Sequence, residues 1–289
     1  MAVLQRDSMT GDKDPRLERS CGPGHGDWIR GAPSRPGFER MEAFFSGHGF
    51  DPHRHDTYAI GYTLRGVQSF RYRGAPRHSR PGQVFILHPD ETHDGYAGTS
   101  AGFRYRILYL EPRLIQRALR GALPFVRDPV TADPRLAQAI GSALDDLDAP
   151  LEDLQVDQIV VALARALADA DPSSRTRTPS AVHVRAVHHA RGLLDANVRN
   201  GVTSAELERT TGLSRYALAR HFRACVGTSP YRYLVMRRLD RVRAQLGTGA
   251  SLADAAVAAG FADQSHMTRQ FKKAYGVPPG QWSAMALGG

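Results

Sequence analysis

Along this chain the spacing of apolar positions changes character after Pro112. From Phe38 to Pro112 the apolar residues fall in short runs broken by Gly and Pro, and 58–64, 67–72, 83–87 and 103–109 read as strands. The breaks are Arg65-Gly66, Arg73-Gly74-Ala75-Pro76, Pro81-Gly82 and His88-Pro89-Asp90. Evenly spaced short strands predict a small sandwich or barrel. Beyond Pro112 the period becomes helical. Residues 113–120 form a short amphipathic piece, and Asp133-Pro134 supplies an N-cap with proline in the first turn, opening a helix to about residue 145. Residues 151–168 carry Leu154, Ile159, Val161, Leu163 and Leu167, apolar enough to pack on a barrel or on a second copy of the chain. A further helix is predicted over 182–198.

Residues 203–282 contain one pattern written twice. TSAELERTTGLSRYALARHFRACVGTSP occupies 203–230, and SLADAAVAAGFADQSHMTRQFKKAYGVPP occupies 251–279. Gly212 falls on Gly260 at an offset of 48, whereas Arg220, Phe222, Gly227 and Pro230 fall on Arg269, Phe271, Gly276 and Pro279 at 49. One residue is therefore inserted in the second turn. Each copy reads as helix, glycine turn and helix, the layout of a helix-turn-helix unit. In copy two, Leu252, Ala255, Ala256 and Ala259 share one face, Gly260 supplies a left-handed turn, and Phe261 plugs the corner. Met267, Phe271 and Tyr275 form the packed stripe of its second helix, leaving Gln264, Ser265, His266 and Arg269 outward. In copy one, Leu218 and Phe222 pack while Arg215, Tyr216, Ala219 and Arg220 face out. Residues 230–247 join the copies as a helix of about 16 residues, roughly 24 Å long. Such an array could be scaffold, but these outward side chains are base-reading types rather than solubilising Glu/Lys pairs.

Charge sharpens this picture. The chain of 289 residues carries a formal charge of +9, and residues 178–289 hold 15 Lys/Arg against 6 Asp/Glu. The first 177 residues are balanced, so the whole excess lies in the helical repeat, as a phosphate-neutralising surface requires. Two cysteines, Cys21 and Cys225, cannot build a disulfide framework or a cysteine-rich zinc site. With no long apolar run and no charged-then-apolar leader, the expectation is a cytoplasmic protein with no membrane association.

The paired units, the helix between them and AAGFADQSHMTRQFKKAYGVPPGQW resemble the DNA-binding domain of AraC/XylS-family transcription regulators. HRHDTYAIGYTLRGVQSFRYRG and RPGQVFILHPDETHDG resemble the cupin-like effector domain of the same family. The resemblance implies an α+β two-domain protein: an N-terminal cupin-like β-barrel with flanking helices, then an all-α double helix-turn-helix domain. The expected boundaries are a disordered tail at 1–35, the barrel at 36–112, a helical and possible dimerisation region at 113–169, a linker at 170–180 and the DNA-binding domain at 181–289. It further implies Tyr216, Ala219, Arg220, Gln264, Ser265, His266 and Arg269 at base edges, with Arg215, Lys272 and Lys273 on phosphates. Ala219 stands where a polar residue is common, and Arg220 and Arg269 could instead hold phosphates.

His53, His55 and His93 resemble the metal-binding triad of cupins. The cupin pattern also places a carboxylate four or five residues after the second His, where this chain has Ala59 and Ile60. The expectation is therefore no metal and no cofactor. Instead, His53, His55, Tyr58, Tyr62, Phe70, Tyr72, His88 and His93 are taken to line a pocket for a small organic effector, with strand alternation placing only some of them inside. The implied function is a ligand-controlled regulator, an activator acting as a homodimer with double-stranded DNA and RNA polymerase as partners. No catalytic pair is visible, so no enzyme is expected; the alternative is a metal-binding cupin enzyme or metal sensor with an appended DNA-binding domain.

Overall fold

The computed structural model describes residues 28–33, 35–171, 173, 181–276, 278–280 and 282–283. Ten strands form two facing antiparallel sheets. β1 (Trp28–Gly31), β2 (Phe38–Phe45), β9 (Phe103–Leu110), β4 (Tyr58–Gly66), β7 (Val84–Leu87) and β10 (Val130–Thr131) make the larger, in the order β1-β2-β9-β4-β7-β10. The smaller is β3 (His48–His53), β8 (His93–Ala97), β5 (Gln68–Tyr72) and β6 (Ala75–Ser79), in the order β3-β8-β5-β6. Phe45, Phe50, Phe70, Tyr72, Phe85, Phe103 and Tyr105 fill the space between them. The opposite face of the larger sheet, with Tyr58, Ile60, Ile86 and Leu108, is covered by α1 (Pro112–Leu119), α2 (Pro134–Leu144) and α3 (Asp153–Ala170). Asp133 caps α2 by accepting from the Arg135 N–H at 2.8 Å, as its proline-led sequence predicts.

Three expectations change. The tail was taken as disordered through residue 35, yet Trp28–Gly31 pairs with Phe44–Met41 of β2 and Ile29 packs on the barrel core; residues 1–27, with Cys21, lie outside the described residues. β2 escaped the periodicity because Arg40 and Glu42, buried at 2% each, face the helical layer with partners of their own. Arg40 donates to the carbonyls of Ala143, Asp146 and Ala149, and Glu42 accepts from Arg104 and Arg106. The barrel does not end at residue 112, since β10 returns from the helical region to pair with β7. Most of the expected linker lies outside the described residues.

The C-terminal half holds α4 (Ala181–Ala196), α5 (Ser204–Thr211), α6 (Arg215–Val226), α7 (Pro230–Gly247), α8 (Leu252–Ala259) and α9 (Gln264–Tyr275). The repeat is explicit in its caps. Thr203 and Ser251 cap α5 and α8, Gly212 and Gly260 close them, Ser214 and Asp263 cap α6 and α9, and Gly227 and Gly276 close those. The inserted residue lies between Gly260 and Asp263. Gly260, at φ +92°, lies against the loop after α4: a Cβ there would sit 2.1 Å from the Arg199 carbonyl oxygen. The joining helix has the expected bounds, Pro230–Gly247, which hold 18 residues rather than about 16 and give a length of about 27 Å. Trp282 closes the second unit, edge-on to Phe271 at 5.8 Å.

Candidate DNA-reading face and effector site

The two second helices present their N-terminal turns outward. Tyr216 is 77% exposed with the Arg215 guanidinium 5.3 Å from its ring centre, and Gln264, Ser265 and Arg269 are exposed on α9. His266 is half-buried, its ring edge-on to Phe261 at 5.4 Å, which limits its reach into a groove. Ala219 is half-buried. Arg220 is exposed but shares a stripe with Arg223, Ala224 and Gly227 that faces the barrel rather than open solvent. Lys272 and Lys273 sit in the last turn of α9, at the end that meets the barrel, so they lie away from the turn that would lead into a groove.

Both units are seated on the N-terminal domain. The Leu123 N–H donates to the Ala224 carbonyl at 2.9 Å, and Pro89 lies so close to Gly227 that a Cβ there would be 2.7 Å from it. The Arg54 N–H faces the Lys273 carbonyl at 3.4 Å, the Arg54 carbonyl accepts from Arg232 at 3.0 Å, and Asp56 pairs with Arg237. Asp90, its carboxylate almost buried, faces Arg223 at 3.2 Å, Arg54 at 3.5 Å and Arg232 at 3.8 Å. Arg232 is 6% exposed, and burial pulls its affinity for the proton down. The sequence reading passed over Arg54, Asp56 and Asp90; the charged positions alternating with His in His53-Arg54-His55-Asp56 are the signal that could have found them.

Where this seam opens, a cleft of about 490 Å³ runs between the barrel rim and α6, lined by Arg54, Tyr58, His88, Phe125, Arg220 and Arg223 among others. Its volume suits a small organic ligand. His88 forms the back of it: its Nε2 accepts from the Val126 N–H at 3.0 Å, which puts the ring proton on Nδ1, 2.8 Å from the Tyr72 hydroxyl. Burial, with Arg73 adding to it, holds the His88 pKa down to about 3, so the ring is neutral. Tyr58 reaches this region with its hydroxyl donating to the Pro124 carbonyl at 2.8 Å. Tyr62 does not: it lies on the helical side of β4, bonded to Asp145 at 2.9 Å. Phe70 and Tyr72 belong to the packed barrel interior. The eight expected pocket residues thus divide among four environments.

The fourth environment is the histidine cluster. His53, His55 and His93 are 1–2% exposed, and one ring nitrogen of each lies within 4.8 Å of those of the other two. Their Nδ1 atoms face backbone carbonyls: His53 that of Asp51 at 2.8 Å, His55 that of Thr57 at 3.0 Å, His93 that of Glu91 at 3.0 Å. A carbonyl only accepts, so each neutral ring carries its proton on Nδ1 and a lone pair on Nε2. Outward Nδ1–H bonds to carbonyls are also what orient metal-ligating histidines. The donor set fits a borderline divalent transition metal with three imidazole ligands and an open position, and the absent carboxylate does not weaken that fit.

Comparisons with known proteins agree with this architecture. Residues 35–164 match the family model of the AraC-like ligand binding domain, and residues 207–285 match that of a helix-turn-helix domain. The chain is 26% identical over 227 residues to an uncharacterized HTH-type transcriptional regulator of Bacillus subtilis, YbfI, covering 75% of this chain and 81% of that one. It is 30% identical over 144 residues to the transcriptional activator NphR of Rhodococcus, 47% of this chain and 41% of that one. The crystal structure of ToxT from Vibrio cholerae superposes with a TM-score of 0.61 at 11% identity, over 88% of this chain and all of that one, which speaks to the fold. Among the described residues no helix is long and apolar enough to cross a membrane. A ligand-binding barrel joined to two DNA-reading units makes this chain a member of the AraC family of transcriptional regulators.

Proposed function

We propose that this regulator is an activator whose DNA-binding domain is released or re-seated by a small organic anion bound in the cleft between barrel rim and α6. The observation that carries the reading is that Arg220 and Arg223 of the first recognition helix share that cleft with Arg54, Tyr58, His88 and Phe125 of the effector domain. Three guanidiniums favour a carboxylate or similar anion, and Phe125 and Tyr58 offer an apolar wall. A ligand there touches both domains and so has different affinity for the docked and undocked states, which is the condition for a population shift.

On DNA, Tyr216, Gln264, Ser265 and Arg269 read bases, and Arg215 holds a phosphate. Arg220 reads a base only once the cleft opens. Leu154, 79% exposed, and Val161 on α3 form the apolar stripe through which two copies pair. The setting is cytoplasmic, RNA polymerase is the downstream partner, and the chain is not an enzyme.

The test is a thermal-shift screen of aromatic carboxylic acids on wild type and Phe125→Ala. A compound that stabilises wild type, alters its DNA affinity and loses both effects in Phe125→Ala supports the cleft. Stabilisation undiminished in Phe125→Ala contradicts it.

A further inference from the structure

The histidine cluster and the domain seam share one segment, residues 53–57. Through residues 53–57 the side chains alternate: His53, His55 and Thr57 are buried on the barrel side, while Arg54 and Asp56 are half-buried on the side of the DNA-binding domain. Both positions engage that domain, Arg54 through its backbone N–H and carbonyl to Lys273 and Arg232, and Asp56 through its carboxylate to Arg237. The Asp90 N–H donates to the His55 carbonyl at 2.7 Å, so the strap is tied to the turn that leads into His93. The Asp90 carboxylate meanwhile faces Arg223 of α6 and Arg232 of α7. Both segments that supply ring nitrogens therefore also grip the helices that carry the DNA-reading units.

We infer that His53, His55 and His93 bind a divalent transition-metal ion, and that occupation of this site weakens the seating of the DNA-binding domain on the barrel. Geometry gives the direction. In a tetrahedral site with metal–nitrogen distances of about 2.1 Å, ligand nitrogens are about 3.4 Å apart. The ring nitrogens here are spread over as much as 4.8 Å. Closing them on an ion draws the strap and the start of β8 inward by up to about 1 Å. Arg54, Asp56 and Asp90 ride on those segments and are pulled away from Arg232, Arg237 and Arg223. The zinc, nickel, copper(II) and iron(II) ions suit three imidazoles. The metal site is separate from the organic-effector cleft, with which the cluster shares no side chain, although Arg54, Asp90 and Arg223 of the seam also line that cleft; metal affinity, measured without effector, therefore reports on the cluster alone.

Linkage makes the idea testable without DNA or effector, because whatever metal does to docking, docking must do to metal affinity by the same factor. The tag-free full-length chain is stripped with chelator, and Zn(II) and Ni(II) affinities are measured by competition with a chromophoric chelator. Wild type is compared with His93→Ala, which removes a ligand, and with Arg237→Gln, which loosens the seam. Arg223→Ala, at a side chain 64% exposed, serves as the second seam variant should Arg237→Gln fail to fold. One equivalent of metal is expected in wild type, at least a hundredfold weaker binding in His93→Ala, and three- to tenfold tighter binding in the seam variants. No binding in wild type, or binding that His93→Ala leaves unchanged, overturns the site. Seam variants with unchanged or weaker metal affinity overturn the coupling.

Discussion

Two glycines that the repeat aligns with each other do different physical jobs. Gly212 and Gly260 both sit at positive φ, +68° and +92°, and close the first helix of their unit. Nothing lies within 4 Å of a Cβ placed on Gly212, so Gly212→Ala meets only left-handed strain, about 1–2 kcal/mol. Gly260→Ala adds a collision with the Arg199 carbonyl and is expected to cost at least twice as much, read as the urea midpoint of each variant. Residue identity gave the left-handed turn in both cases; the approach of a loop sixty residues upstream is not written in either motif. His88 is a second such case. Its ring is neutral in the folded chain with a pKa of about 3 but accepts a proton near 6.5 when unfolded. Its contribution is fully present above pH 6.5 and is lost as pH falls toward 3, by up to about 1.4 kcal/mol per pH unit. His88→Gln should flatten the fall in urea midpoint between pH 7 and pH 5; an unchanged slope would assign it to other groups. Arg269→Ala is expected to relax selectivity at one base position at a cost of about 1–3 kcal/mol, whereas an equal loss on all sequences would make Arg269 a phosphate contact.

At the scale of elements, the helices were legible and six of the ten described strands were not. α2, α3 and the caps of α5 to α9 depend on local signals: a proline-led N-cap, an apolar stripe, a closing glycine. β3 and β8, HGFDPH and HDGYA, carry histidines, aspartates and glycines that no strand pattern selects. Their imidazoles turn inward, His53 against Phe50 and His93 against His53 and His55, a tertiary circumstance. The candidate site was legible to the same degree. The exposed start of α9 follows from the helical period, but Tyr62 lies on the helical side of β4, away from the cleft, because one strand alone does not say which face is the barrel. The element that the sequence hid most completely is the turn at Asp90, held at φ +64° with Arg54, Arg223 and Arg232 around it. Asp90→Asn tolerates that backbone and removes the charge. It takes away the nearer carboxylate of a nearly buried Arg232, which keeps the Arg54 carbonyl and the field of Asp56, and should split a single thermal transition into two, one per domain. A single transition at an unchanged temperature would mean the seam is held by packing alone.

For the whole molecule, the arrangement is two DNA-reading units on one rigid helix, both held against a barrel. The distribution of charge says the same from composition alone: a neutral N-terminal part and a C-terminal part carrying the whole excess of +9. A joining helix of about 27 Å, with α4–α6 at one end and α8–α9 at the other, spans the roughly 34 Å between successive major grooves. One chain is then expected to cover about 20 base pairs, bending the duplex where the grooves do not fall in line. Selection of bound duplexes from a randomised pool by the purified chain, at near-physiological salt, tests this most directly. The account predicts two short clusters of enriched bases with centres 10–10.5 base pairs apart, and loss of enrichment at one position of the second cluster alone in Arg269→Ala. Binding without enrichment, or a single cluster that neither Arg269→Ala nor Tyr216→Ala disturbs, would contradict it.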